Sequence, residues 1–279
     1  MSSYGHYASS AAPSHAFYSS PKFFIRVIDS SIGPIIRTVN YAFSSDPLIQ
    51  WLRPNAAPWA QQDKDVWRWQ QRRIQSIMLH GMVLQSAKVN EMIALELPRQ
   101  QRKKASPVYE REAQVPATDS TPEAELGLND TGAVVFLLPP KCQLKWSPAR
   151  LWEAFKIYVL DILSPAHDTG AKELRVGRFL EVNKKWSEIL TSRYSKEKLW
   201  YLEVIAVHPS LQSRGIGRKA MTWVLEHIKD EPIYLECTRI DNIGFYEGFG
   251  FEVVEKVEIE DEGQKLNYWV MVRPSKGNI

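Results

Sequence analysis

The residues best placed to do chemistry cluster in Leu199–Lys229, LWYLEVIAVHPSLQSRGIGRKAMTWVLEHIK, and in the stretch that follows it. Gly215 and Gly217 remove Cβ atoms where the backbone turns into a helix. The first N–H groups of a helix have no intrahelical partner and lie at the positive end of its dipole, so an open approach makes them an anion site. Arg214, Arg218 and Lys219 add full positive charge, and a pyrophosphate is the natural occupant. The loop is neither a P-loop, since no Gly-Lys-Ser/Thr follows, nor a dinucleotide G-x-G-x-x-G. A strand–helix turn using glycine only for tight packing gives the same pattern.

Two carboxylates are candidate proton acceptors. Glu203 is the only charge in the apolar run Leu199–Val207, and burying it without a role is costly. A strict period of two puts it on one face with Tyr201 and Ile205. Glu236, on the next apolar run, is the second candidate. For either, the alternative is a carboxylate paired with a nearby Arg or Lys, or exposed at a strand edge. His208 reads as a turn residue, and Cys237 as a small buried apolar group. His167 and Asp168 have no metal partners nearby in sequence, so no metal is expected.

These groups need a frame. Leu199–Val207 reads as a buried strand that His208-Pro209 stops. The helix after the loop carries Ile216, Ala220, Met221, Val224, Leu225 and Ile228 at a period of 3.6. Ile233–Thr238 is a further strand. Upstream, the pattern predicts a strand at Phe23–Ile28, a helix from about Ser31 to Phe43 capped by Asp29 or Ser30 and ended by Ser45-Asp46-Pro47, a helix at Trp59–Leu79, and strands at Met82–Lys88 and Ala133–Leu138. Helices follow at Pro148–Leu163 (Leu151, Trp152, Phe155, Val159, Ile162) and within Gly170–Ser192. Glu252–Glu258 and Asn267–Val272 read as an antiparallel pair around Glu260–Gly263. The sum is an α/β (α+β) chain with a mixed central sheet of about six or seven strands flanked by helices.

Residues 1–21, rich in Ser, Ala, Tyr and His, read as a disordered tail without the apolar core of a secretory signal or the arginines of a transit peptide. Residues 22–274 form the expected domain and 275–279 a short tail. Within it, residues 89–132 read as an insertion whose polar, proline-containing middle, Pro98–Thr131, is expected to be disordered or a mobile loop; it could serve as a lid, a docking site or a neutral spacer, and the spacer is favoured. The net charge of +3 is too balanced to argue for nucleic acid, which is not an expected partner, and no apolar run reaches a membrane span. With two cysteines, Cys142 and Cys237, far apart in sequence, a reducing compartment is expected, cytoplasmic with the nucleus left open.

Gln212-Ser213-Arg214-Gly215-Ile216-Gly217 fits the Q/R-x-x-G-x-G/A signature of the GNAT family of N-acetyltransferases. Asn242, Tyr246 and Gly250-Phe251 resemble its closing N…Y-E-x-x-G-F element. The phrasing WYLEVIAVHPSLQSRGIG, YLEC and FYEGFGF is similar to small acetyltransferases of filamentous fungi. Ala42–Leu48 with Trp51–Pro54 looks like their opening, where the first helices flank the acceptor groove. Phe43, Leu48 and Trp51 either line such a groove or are core. The hairpin strands that residues 89–132 separate join by a short turn in that family, so the insertion departs from it.

The resemblance implies a GNAT fold with its pyrophosphate loop between the fourth strand and the following helix. It implies acetyl-CoA as acyl-donor co-substrate and no metal. Backbone N–H groups of Gln212, Ser213, Arg214, Gly215, Ile216 and Gly217 would hold phosphate with help from Arg218, and the pantetheine arm would pair along Ile205, Ala206 and Val207 as an added strand. Tyr246 fits the acid for the departing thiolate. Asn242, one helical turn before it, would face the same arm. The histone-modifying branch carries its base glutamate where this chain has Tyr201, which disfavours a histone-type mechanism. The expected activity is acetyl transfer to an amine of a small molecule, by direct attack in a ternary complex, in a monomer or homodimer. Alternatives are a protein lysine or N-terminal acetyltransferase and a non-catalytic acyl-CoA-binding scaffold.

Overall fold

A computed structural model describes residues 25–26, 32–55, 64–96, 127–140, 147–194 and 197–275. Among these residues seven strands form one sheet: β1 (Ile25–Arg26), β2 (Met82–Gln85), β3 (Ala133–Leu138), β4 (Trp200–Val207), β5 (Ile233–Cys237), β6 (Glu252–Asp261) and β7 (Gln264–Arg273). Their spatial order is β1-β2-β3-β4-β5-β7-β6. Every neighbouring pair is antiparallel except β4–β5, which is parallel because a helix carries the chain between them. The helices are α1 (Gly33–Phe43), α2 (Pro47–Leu52), α3 (Lys64–His80), α4 (Val89–Glu96), α5 (Pro148–Leu163), α6 (Glu173–Tyr194), α7 (Ile216–Ile228) and α8 (Ile243–Glu247).

Side-chain alternation assigns the layers. On one sheet face, α7 presents Ile216, Ala220, Met221, Val224 and Ile228 to Leu202, Leu235 and Cys237, with Tyr246 and Phe251 closing the far end. On the other, α1 and α3 bring Ile35, Ile36, Val39, Ile74 and Ile77 onto Val134, Phe136, Val204 and Ala206. Further along that face, Trp51 of α2 and Leu190 of α6 cover Tyr234, Tyr268 and Val270. Each such large apolar side chain contributes roughly 1.5–3 kcal/mol on burial.

The β6–β7 hairpin turns through Glu262 and Gly263, both left-handed (φ 51° and 73°), as a two-residue hairpin loop demands. Arg175 of α6 fastens α2 to this hairpin: it donates to Asp261 Oδ2 at 2.9 Å, to the Trp51 carbonyl at 2.6 Å and to Gln264 Oε1 at 2.7 Å. Trp51 donates its indole N–H to the Gln264 carbonyl.

The structure departs from the sequence expectations in several places. α1 has Ile32 at its N-cap with no side-chain cap; the expected caps, Asp29 and Ser30, lie outside the described residues. The insertion begins as helix α4, which buries Val89 and Met92. It ends in a packed turn, where Asp130 is fully buried against Arg37 at 2.5 Å and Lys88 bridges Thr131. The expected spacer is therefore helical at its start and packed at its end; residues 97–126, like residues 1–24 and 276–279, lie outside the described residues. In α5, Leu151, Trp152, Phe155 and Ile162 have helical spacing yet face solvent. Among the described residues no helix is long and apolar enough to cross a membrane.

Candidate active site

The site begins where β4 and β5 part. They are in register only at Trp200–Ile233 and Tyr201–Tyr234. Beyond that point β4 keeps pairing with β3 as far as Val207–Ala133, and β5 with β7 as far as Cys237–Trp269. The β4 edge toward β5 from Leu202 onward thus lines a wedge-shaped opening. Its cause is local. Phe136 pairs with Val204 and Leu137 with Leu202, so Glu203 is an extra residue on β4, a bulge that sharpens twist and turns the strand away.

The bulge also corrects the expected face. Past Glu203 the alternation reverses, so Ile205 packs with the α7 cluster while Tyr201 packs with the α2–α6 cluster. Tyr201 and Ile205 lie on opposite sides of the sheet. Glu203 is on the helix α3 side, where Arg73 donates to it from Nη2 at 2.7 Å and Nε at 3.0 Å.

At the end of β4, His208, fully buried, starts a 3-10 turn at Pro209–Leu211. Leu211 and Ile216 are buried anchors, while Gln212, Ser213, Arg214 and Gly215 between them are exposed. Ser213 and Gly215 are both left-handed (φ 61° and 76°). Gly215 is the N-cap of α7, offers no side chain to its first turn, and no acidic residue stands there. This leaves a backbone concavity of N–H groups suited to an anion. A Cβ on Gly217 would point between Val207 and Phe245, at 3.8 Å from each, beside the opening. Arg218 lies over the Phe249 ring at 5.3 Å. Gln212 donates its side-chain amide to the Val207 carbonyl at 3.1 Å, tying loop to strand. Loop and β4 edge, with Ile205, Ala206 and Val207, therefore line one cleft.

On the α2–α6 side stand Tyr201, Tyr234 and Glu236. The two tyrosine rings stack at 4.6 Å, and the Tyr234 hydroxyl reaches Ser187 of α6 at 3.4 Å. Burial lifts the Glu236 carboxyl to about 7, against a hydrogen bond from the Tyr201 hydroxyl and with a further push from the Glu203 charge. Burial likewise raises the Tyr201 phenol, with Glu236 adding to it.

At the far end, Tyr246 is buried against Phe245 and Phe251, with ring centroids at 5.1 and 5.8 Å. Burial raises its phenol above the ordinary range, so it holds its proton at neutral pH. Asn242 caps α8 from an exposed position and makes no side-chain cap bond. The two are one turn apart, but only Tyr246 enters the interior. Cys237 is buried, its thiol pushed up to about 11 chiefly by burial. Of the residues weighed for an acceptor groove, Trp51 is core, and Phe43 and Leu48 pack at the edges of core clusters.

Sequence reasoning passed over Asp46. It reads as a helix stop before proline, yet its carboxylate is buried, caps α2 by accepting from the Leu48 N–H at 2.9 Å, and accepts from the Thr238 hydroxyl at 2.5 Å across 192 residues of chain. The Asp-Pro step signals the cap; nothing in the sequence signals Thr238.

Residues 176–251, from α6 through the loop and α8 to Phe251, match the profile of the Acetyltransferase (GNAT) family. That stretch, about a quarter of the chain, is similar to the GNAT family. Over 76 residues it is 32% identical to an uncharacterized N-acetyltransferase of Schizosaccharomyces pombe, a stretch that is 26% of this chain and 31% of that protein. The chain thus matches about a third of the length of this curated relative. Among solved structures, it is similar to arylalkylamine N-acetyltransferase 2 from Aedes aegypti (TM-score 0.48, 8% identity, 90% of this chain and 97% of that one). It is also similar to a histone acetyltransferase HPA2 and related acetyltransferase from Corynebacterium glutamicum (TM-score 0.47, 14% identity, 91% and 96%). Likenesses at these scores carry no argument about an acceptor. Among the described residues no group of three or more His, Cys, Asp and Glu is placed to hold a metal ion.

Proposed function

We propose that this protein is an acetyl-CoA-dependent N-acetyltransferase acting on an amine of a small molecule. The observation that carries the reading is the parting of β4 from β5 after Tyr201–Tyr234, with a side-chain-free helix N-terminus at one end and a carboxylate of neutral-range proton affinity, Glu236, on the parted stretch of β5. Backbone N–H groups of residues 212–217 and the charge of Arg218 hold the pyrophosphate of the donor. Its pantetheine arm lies along the β4 edge at Ile205, Ala206 and Val207, and a backbone N–H there polarises the thioester carbonyl and stabilises the oxyanion.

The amine enters from the α2–α6 side. An alkyl ammonium has a pKa near ~10.4, so freeing the lone pair at pH 7 costs roughly 4–5 kcal/mol. Glu236 accepts that proton, directly or through one water. Glu203 serves the step from a distance: Arg73 compensates its charge, and its remaining field raises the proton affinity of Glu236. The amine nitrogen bonds to the thioester carbon and gives its second proton to water, the oxyanion collapses, and the carbon–sulfur bond breaks. The leaving thiolate takes a proton from Tyr246 or from water. A small acceptor fits because α2 and α6 cover this face: Trp51 is buried there, and Tyr234 and Tyr268 are bonded to Ser187 and Asn183 of α6.

The test is incubation with acetyl-CoA and a pool of small primary amines, read by mass spectrometry. N-acetylated products that require the protein support the proposal. Acetylation of lysine or N-terminal peptides alone would replace the small acceptor with a protein.

A further inference from the structure

The carboxylate of Asp46 is 5% exposed and has tertiary contacts beyond those its capping role needs. Capping α2 uses Oδ1; Oδ2 reaches Thr238, the residue after β5. Glu236 and Thr238 are two apart, and exposure alternates with buried Cys237 between them, so both side chains leave the chain on the α2–α6 side. At about 3.3 Å per residue, Asp46 is thus anchored about 7 Å along β5 from Glu236. It also lies within electrostatic reach of the Tyr246 end: burial is what chiefly raises the Tyr246 phenol and the Cys237 thiol, and the Asp46 charge adds to both, whereas Glu203 and Glu236 add to the burial of Tyr201 and Tyr234. The attacked carbonyl must lie between the proton acceptor and the group that protonates sulfur. Asp46 is the carboxylate that spans from the strand of the first to the neighbourhood of the second.

We propose that Asp46, held by Thr238, is an acceptor-binding residue that receives the substrate's ammonium group and holds its nitrogen between Glu236 and the Tyr246 end of the cleft. This deepens the N-acetyltransferase reading and rests on it. A carboxylate has about four acceptor positions, of which the Leu48 and Ile49 N–H groups and Thr238 use three, so one remains for an N–H donor. Burial raises Asp46 from the ordinary carboxylate range; Thr238, the Leu48 and Ile49 N–H groups and Arg239 oppose that and favour the charged form. In its charged form Asp46 selects a cationic acceptor, and Glu236 receives the amine's proton after it is bound.

Asp46→Asn keeps a good N-cap and nearly the same shape while removing the charge. Steady-state kinetics with ethylamine, 2-phenylethylamine and spermidine as probes should show the amine KM raised roughly ten- to a hundredfold, the range expected for one charged hydrogen bond. The acetyl-CoA KM and the melting temperature should stay as in the wild type. In Thr238→Val, loss of the hydroxyl raises the Asp46 proton affinity, so the acid limb of kcat/KM for the amine moves to higher pH; Thr238→Ser keeps it in place. Arg239, Tyr246 and Cys237 are unchanged in all variants. An unaltered amine KM in Asp46→Asn, with an unmoved acid limb in Thr238→Val, overturns this inference and leaves the N-acetyltransferase standing. If the wild type transfers to none of the probes, the N-acetyltransferase reading falls and this inference with it.

Discussion

Replacing Glu236 with Gln separates its chemical role from its structural cost. The carboxyl sits at about 7 in the folded protein against 4.5 in the open chain, mainly because burial penalises its charge. A folded-state value above the unfolded one means a contribution that is fully present below about pH 4.5 and lost as pH rises through about 7. Gln keeps an acceptor for the Tyr201 hydroxyl and has no charge to bury. The variant should therefore be more stable than the wild type by about 3 kcal/mol at pH 8, and by under about 1 kcal/mol at pH 5. At about 2–4 °C per kcal/mol for a chain of this size, the melting temperature should rise by roughly 6–12 °C at pH 8. Over the same range, kcat for amine acetylation should fall by about 10²–10⁴, the usual worth of a positioned proton acceptor. Thermal melts across pH 5–8, paired with kinetics on the same samples, read both effects. A variant that melts at or below wild type at pH 8 would refute the buried-charge argument, and one that keeps near-wild-type kcat would refute the assignment of the base.

Other outcomes follow from the same geometry. Arg73→Gln leaves the Glu203 charge uncompensated beside Glu236, so the acid limb of the kcat/KM profile should move up by about one pH unit; an unmoved limb would show that the two carboxylates do not communicate. Gly215→Ala forces a Cβ into a left-handed position that has open space around it, so the cost is backbone strain of about 1–2 kcal/mol with no clash. Its signature should be a roughly tenfold weaker acetyl-CoA affinity by calorimetry, which unaltered affinity would contradict. Leu211→Ala empties an anchor that is fully buried beneath the loop and should cost about 2–5 kcal/mol in chemical unfolding; a smaller loss would mean the loop is not fastened there.

The apolar runs of β3, β4 and β5, the 3.6-residue stripe of α7 and the β6–β7 hairpin are legible because burial imposes a period on each. The glycine loop is legible for another reason: left-handed backbone at Gly215 admits few residues. Glu203 shows where periodicity stops. A bulge inserts one residue without any change in composition, so strict alternation put Ile205 with Tyr201 when the bulge sends them to opposite faces. The eight residues of α4 are too few for a clear period and sit at the start of a polar stretch. Glu236 is nameable as a carboxylate on a strand, but its proton affinity depends first on its burial and then on Tyr201 and Glu203 of the neighbouring strand. Asp46 was visible as a cap before Pro47, while its partner Thr238 is fixed only once α2 is laid over β7.

The most direct measurement is thiol release from acetyl-CoA, run with pooled small amines and separately with pooled lysine and N-terminal peptides. The account predicts protein-dependent release with the small-amine pool. Silence from that pool, with acetyl-CoA bound and stabilising the protein, would contradict it.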